Sequence, residues 1–378
     1  MKGRKVLVFS RDPGGTNAVI QLIEPLRAAG NQLLVYGKDS ALSIYRKFGM
    51  ECSDIRAAAP SGTREETREF VKRMNPDLIL TGTSSEDFTE RHLWQAGEKA
   101  GIATFAVLDQ WTNYRLRLIP EGSNAVNGDA DGAAMITPSF FFIMDEFAQR
   151  EMCTLGIDPE RLVVTGQPFF DYIRKSGDRI QVHEIKELRG KITGGHGGLV
   201  FVFASQPIAS IHRQNGIEED YWGYTEKTVL QSVVTQLQRL SEELETKVTL
   251  VVRLHPKDDK YACQDVVGGS RGWLNTVFDR EINSTLLLKS ADLVIGMFSM
   301  VLLEAAILGS PFISVQIGLK RENPLIFDRI GLARSILTEA ELEKTLREIL
   351  KGKQTNTPKL PFHFGATDRI VEYLEAYK

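Results

Sequence analysis

Residues 286–315 read LLLKSADLVIGMFSMVLLEAAILGSPFISV, a stretch in which two short apolar runs bracket a helical pattern. Apolar runs of this length without alternation suit parallel strands covered on both faces. Leu293, Val294 and Ile295 form the first such strand, Gly296 lets the backbone turn, and the helical pattern begins at Phe298 and Ser299. Gly309, Ser310 and Pro311 stop the helix before a second strand over 312–315. A helix N-terminus is thereby placed at the carboxyl end of a parallel strand, which is where open α/β sheets bind ligands. Amides near Phe298, Ser299 and Met300 suit a phosphate, with help from the helix dipole. Glu304 follows about one and a half turns into the helix. A plainer reading, with Ser299 only a helix cap and Glu304 only solvated, stands beside this one.

The order S-x4-E-A-A-x2-G-x-P from Ser299 to Pro311, after a strand that ends D-x-V-I-G at Gly296, resembles the donor half of GT-B nucleotide-sugar enzymes. That group includes glycosyltransferases, CDP-glycerol glycerophosphotransferases and UDP-N-acetylglucosamine 2-epimerases. The resemblance implies that Glu304 binds the ribose hydroxyls of a nucleotide and that the turn at Ser299 meets its phosphates.

Length and composition set outer bounds. A chain of 378 residues, 42% apolar and 25% charged, is ordinary globular material and long enough for two domains. A net charge of −3 offers no general attraction to nucleic acid or to an anionic membrane, so no nucleic-acid partner is expected. The three cysteines, Cys52, Cys153 and Cys263, have no metal-ligand spacing, and no metal is expected. The apolar run at Val6 to Phe9 is too short for a signal peptide, and no run approaches the roughly 18 apolar residues of a membrane span. The expected location is cytoplasmic. Peripheral association with the inner membrane face stays open, although no amphipathic basic helix argues for it.

The amino-terminal half alternates strands and helices. A strand over 5–10 leads into Asp12-Pro13-Gly14-Gly15-Thr16-Asn17 and an apolar helix pattern through Leu26. This reads as a glycine loop in which Gly14, Gly15 and Asn17 approach a substrate and Thr16 or Asn17 caps the helix; a plain glycine turn is equally compatible. It is not a G-x-G-x-x-G fingerprint, so a tightly bound dinucleotide is disfavoured. Repeated βα units follow, which argue for a doubly wound parallel sheet. A strand at Leu78 to Leu80 enters a polar loop whose Ser84 and Ser85 are candidates for a sugar or phosphate. After a helix over 88–100 and a strand over 103–108 comes Asp109-Gln110-Trp111-Thr112-Asn113-Tyr114-Arg115. Asp109 is the leading candidate for a general base, with Asp12 second; Gln110 and Asn113 supply hydrogen bonds, and Trp111 a stacking face for a sugar ring. A purely structural Asp109 remains the competing reading. The 2-epimerases carry an acidic group followed by Ala-Gly after the same strand, whereas Asp109 is followed by Gln-Trp. Residues 121–133 read as an exposed loop over the cleft; Asp129 and Asp131 there fall short of a calcium-loop pattern.

Two further marks lie downstream. G-x-x-P-E-R-L-x-V-T-G-x-P-x-x-D from Gly156 to Asp171 resembles the segment that ends the first domain of GT-B enzymes. A flexible connection over 189–198 precedes a strand over 199–204, which delivers Gln206 to the ligand end of a second sheet. A strand over 248–253 followed by R-x-H-P resembles CDP-glycerol, Kdo and sialic-acid polymer transferases, which implies that His255 and neighbouring basic groups meet the nucleotide phosphates. Arg253 offers a planar fork, His255 a switchable donor and Lys257 a point charge. Gln316, Lys320, Arg321 and Glu322 are weaker candidates for closing on the sugar.

The expected architecture is α/β, a GT-B fold of two Rossmann-like domains facing across a cleft. The expected boundaries are 1–168 for the first domain, 169–198 for a linker and 199–365 for the nucleotide-binding domain, with a helix over 366–378 returning to the first. The resemblance implies a metal-independent transferase that moves a sugar or polyol-phosphate from a UDP, CDP or CMP donor to a carbohydrate or lipid-linked acceptor in cell-surface polysaccharide synthesis. In that mechanism Asp109 or Asp12 is the base, while Arg253, His255 and Lys257 stabilise the departing phosphate. A 2-epimerase-like enzyme and a catalytically silent nucleotide-sugar-binding protein are the alternatives. Oligomeric state is not legible.

Overall fold

A computed structural model describes residues 3–123, 134–214, 216–218, 221–255, 258, 263–267, 272–353 and 360–378. Contacts divide the chain into two compact units, residues 1–172 with 361–378, and residues 173–360.

The first unit holds strands β1 (Lys5–Ser10), β2 (Gln32–Gly37), β3 (Ser53–Asp54), β4 (Leu78–Thr81), β5 (Ala103–Val107), β6 (Phe140–Ile143) and β7 (Leu162–Val164). They form one parallel sheet in the order β3-β2-β1-β4-β5-β6-β7. Val6 to Phe9 are all buried because helices cover both faces of the sheet. Its helices are α1 (Pro13–Ala28), α2 (Ser40–Lys47), α3 (Arg64–Met74), α4 (Thr89–Ala100) and α5 (Glu146–Thr154). One core face joins Val6, Val8, Ile20, Leu22, Leu80 and Phe105, and the other Leu7, Phe9, Phe70, Ile79 and Leu93.

α6 (Pro168–Arg179) runs across the division into the second unit, where α7 (Val182–Ile192) precedes β8 (Leu199–Ala204) and α8 (Ile208–Gln214). Next come α9 (Glu226–Glu243), β9 (Val248–Arg253), β10 (Leu274–Asp279), α10 (Ser284–Ser290), β11 (Leu293–Gly296), α11 (Met300–Ile307), β12 (Phe312–Ser314), α12 (Ile326–Arg329) and α13 (Glu339–Leu350). The strands form a parallel sheet in the order β10-β9-β8-β11-β12.

The last helix, α14 (Ala366–Ala376), belongs to the first unit and packs on α1. Asp171 accepts from the amides of Gly365 (2.6 Å) and Thr367 (3.1 Å), which fixes the start of the helix. Arg4 donates to the Leu374 carbonyl at 2.7 Å near its end. Tyr373 and Tyr377 sit edge-on to Phe105 and Phe140.

Two local expectations change. The helix after β1 begins at Pro13, so Gly14 and Gly15 lie in its first turn and not in a loop; Pro is pre-set for that first position. Residues 189–192, expected to be a flexible connection, are the last turn of α7, a helix whose start is fixed by the Gln181 amide donating to Glu184 Oε2 at 2.8 Å.

Candidate functional site

In the first sheet the chain order reverses between β1 and β4, and the crevice beyond their carboxyl ends is the ligand position of a doubly wound sheet. Asp12, Thr83, Ser84, Glu90 and Asp109 all follow β1, β4 or β5 there. Gly15 lets α1 approach the loop after β4: an added Cβ would lie 3.2 Å from the Thr83 amide nitrogen.

Arg117 organises this cluster. It is 3% exposed, and its Nη1 donates to Asp109 Oδ1 (2.9 Å), Thr83 Oγ1 (2.6 Å) and the Thr83 carbonyl (2.8 Å). Asp109 is therefore spent on an ion pair and does not present an open carboxylate. Arg91 staples the neighbouring loops, donating to the carbonyls of Leu116 (3.0 Å) and Ile119 (2.8 Å) and lying 4.1 Å from the Phe88 ring centroid. Burial brings Arg91 down to about 10, against the pull of Glu90 and Asp87. Asp12 is more accessible, with 26% of its side chain exposed, and pairs with Arg11 at 2.9 Å. Burial raises its proton affinity, Arg11 and Arg117 oppose the rise, and Asp109 and Glu86 add to it.

The remaining first-unit candidates fall into place around this cluster. Asn17 and Ser85 are half-buried, as is Gln110; Ser84 is buried, and its Oγ is hydrogen-bonded to Glu90 Oε1 at 3.0 Å. Asn113 is exposed at φ 59°, a left-handed position that Asn tolerates, and its carbonyl accepts from the Arg117 amide (3.3 Å). Trp111 is not the expected stacking face. It is 2% exposed, stacks on Phe170 and Phe362 at centroid distances of 6.0 and 5.5 Å, and donates to Asp145 Oδ2 at 2.9 Å.

In the second sheet the order reverses between β8 and β11. Across that point Gln206 Oε1 accepts the Phe298 amide at 3.0 Å, so this amide, expected to serve a phosphate, is engaged within the protein. Ser299 caps α11, its Oγ accepting the Val301 amide at 3.2 Å. The amides of Ser299 and Met300 make no backbone hydrogen bond among the described residues. Behind the turn, Ser314 Oγ donates to the Met297 carbonyl (2.6 Å). Gln316, fully buried, bonds Ser314, Asn323 and Ser335 while accepting from Tyr224 (2.7 Å). Gln316 is thus a structural anchor, and the expectation that it closes on a sugar gives way to this network. Lys320 donates its amide to the Trp222 carbonyl, and Arg321 lies over the Tyr221 ring at 4.0 Å.

Arg253 is ion-paired through Nη1 with Asp279, so part of the fork expected to meet a diphosphate is engaged within the protein. Asp279 is held in turn by the amides of Glu281 and Ile282 at 3.0 Å each. The His255 amide donates to Asp258 Oδ2 at 2.8 Å. Glu304 is half-buried on α11. Lys257, Asp129 and Asp131 lie outside the described residues. Among the described residues no cluster of three or more His, Cys, Asp or Glu suits a metal ion, and no helix is long and apolar enough to cross a membrane.

Glu90, Arg91 and Arg117 were not singled out in the sequence. One signal was present: Glu90 shares the helical stripe of Leu93, Trp94 and Gly97, three, four and seven residues on, which is the buried face of α4.

No family model matches the chain, and a search of curated proteins finds no sequence match. Solved structures do match over nearly all of it. The chain is similar to UDP-GlcNAc 2-epimerase from Neisseria meningitidis bound to UDP-GlcNAc, at TM-score 0.66 and 13% identity, covering 99% of this chain and 100% of that one. It is similar to a putative UDP-N-acetylglucosamine 2-epimerase from Listeria monocytogenes at TM-score 0.68 and 15% identity, with 99% and 96% covered. MurG from Acinetobacter baumannii matches at TM-score 0.58 and 13% identity, with 99% and 100% covered. With two Rossmann-like units and these neighbours, the chain has the GT-B fold.

Proposed function

We propose that the chain acts on a nucleotide-activated donor and transfers its sugar or polyol-phosphate to an acceptor hydroxyl. The observation that carries this reading is the contact between Gln206 and the Phe298 amide, which fixes the β11–α11 turn. The next two amides, at Ser299 and Met300, sit at the start of α11, an arrangement suited to the oxygens of a diphosphate. His255, after β9, is the candidate donor to the departing phosphate, and Glu304 the acceptor for ribose hydroxyls. In the first unit Asp12 replaces Asp109 as the preferred base: it is the partly exposed carboxylate, and burial strengthens its hold on a proton. Asp109 orients Arg117 and the loop after β4.

A second reading, a nucleotide-sugar 2-epimerase or hydrolase, is favoured by the neighbours and by three carboxylates, Asp12, Glu90 and Asp109, gathered around one set of strand ends. Product analysis separates the two. Release of nucleotide that requires an added carbohydrate or lipid-linked acceptor supports transfer. An altered or hydrolysed sugar formed from UDP-GlcNAc alone supports the second reading, and nucleotide binding without turnover of any donor contradicts both.

A further inference from the structure

Glu90 lies in the first turn of α4 and is 1% exposed. Ser84 Oγ lies 3.0 Å from its Oε1, a bond in which a protonated Glu90 donates and an ionised one accepts, and its Oε2 has no hydrogen-bond partner. A carboxylate ionised in that setting is strongly penalised. The surrounding cations make their hydrogen bonds to other groups, although Nε of Arg91 and of Arg117 has no partner and Arg91 feels the charge of Glu90. Arg117 serves Asp109 and Thr83, Arg91 serves the carbonyls of Leu116, Ile119, Ser84 and Asp87, Lys38 serves Asp87, and Arg11 serves Asp12 and Asp39. The carboxylates of Asp87 and Asp12 add negative charge near Glu90. Burial first, and those two charges second, raise the Glu90 carboxyl to about 8, while its own amide and Ser84 pull the other way.

We propose that Glu90 is the proton source of the first unit's strand-end site and acts through the Ser84 hydroxyl. The proposal rests on the reading of the chain as an enzyme of nucleotide-activated sugars or polyols. In the step, Glu90 passes its proton to Ser84 Oγ as the Ser84 hydroxyl proton passes to an oxygen of the bound sugar or polyol on which negative charge develops. Glu90 is left as a carboxylate, the ligand oxygen has gained one proton, and no other bond changes. Acid and base are thereby divided between neighbouring carboxyl groups, Glu90 neutral and Asp12 the acceptor.

The test compares the full chain with Glu90→Gln, Ser84→Ala and Glu90→Asp in two measurements. In urea unfolding without ligand, between about pH 5 and about pH 9, wild type is expected to lose stability relative to Glu90→Gln as the pH rises. Parallel curves overturn the proposal, because they mean that Glu90 holds no proton to give. In turnover of UDP-GlcNAc and CDP-glycerol over the same range, with and without an added carbohydrate or lipid-linked acceptor, Glu90→Gln and Ser84→Ala are each expected to lower kcat about 100-fold or more with little change in KM. Both should also lose the alkaline limb expected of wild type, and Glu90→Asp should restore part of the rate with that limb displaced. A wild-type pH profile in Glu90→Gln, or a change confined to KM, overturns the proposal. A wild type that shows the Glu90-dependent stability but turns over neither donor overturns the functional reading beneath it, an outcome distinct from failure at Glu90.

Discussion

A methyl group added at Gly14 would lie 1.8 Å from Oδ2 of Asp109. The first turn of α1 thus closes directly on the carboxylate that Arg117 holds, and Asp109 has little room to yield while that ion pair stands. Gly14→Ala should cost about 1–3 kcal/mol through overpacking and should pull Asp109 away from Arg117. Urea unfolding measures the first effect; a crystal structure of the variant checks the second.

Arg117 and Asp109 are 3% and 7% exposed at their side chains, so removing one leaves the other buried without its partner. Arg117→Met should cost about 3–5 kcal/mol. The double variant Arg117→Met with Asp109→Leu should recover a large part of that loss, since both charges are then gone. Equal instability of the single and double variants in urea titrations would contradict the pairing.

Glu90 sets the sign of a pH effect on stability. Its carboxyl is raised to about 8 in the folded chain, against about 4.3 when unfolded. Between those values the folded chain keeps a proton that the unfolded chain has released, so stability falls as pH rises. The contribution is fully present below about 4.3 and is lost above about 8, with a total on the order of a few kcal/mol. Glu90→Gln should flatten this part of the profile.

Gln206 holds the Phe298 amide at 3.0 Å. Gln206→Ala releases the turn ahead of α11, and nucleotide affinity should weaken by about tenfold, equivalent to about 1.4 kcal/mol. Calorimetric titration with the nucleotide that binds wild type reads this directly.

Trp111 is a wall of the first unit, held by Asp145, Phe170 and Phe362. Trp111→Phe leaves Asp145 short of a donor and should cost about 1–3 kcal/mol of stability, with KM for the sugar donor unchanged. A raised KM at unchanged stability would restore the stacking role that the sequence suggests.

The units and their strand–turn–helix segments are legible because punctuation and periodicity agree. Gly296, Ser299 and Gly309 bracket α11, and the unbroken apolar runs at β1, β8 and β11 leave only a parallel sheet covered on both faces. Partnership among charges is another matter. Arg253 and His255 read as a phosphate clamp, but the partner of Arg253, Asp279, stands at the end of an adjacent strand 26 residues on. Burial of Trp111 depends on Phe362, which reaches the first unit only because the chain end returns there. The apolar stripe of α4 marks Glu90 as inward-facing, but not its contact with Ser84 or those of Arg91 with the loop carbonyls. No local pattern encodes such contacts, since they are set by chain return and strand order.

By the proposed function, the β11–α11 turn of the second unit holds the phosphates of a nucleotide. Thermal unfolding with UDP, CDP, CMP, GDP and TDP, on wild type beside His255→Ala and Glu304→Ala, tests it most directly, because a ligand of the native state raises its apparent stability. One nucleotide class is expected to raise the midpoint of wild type, and the rise is expected to be lost in both variants. No rise with any nucleotide, or an equal rise in all three proteins, would contradict it.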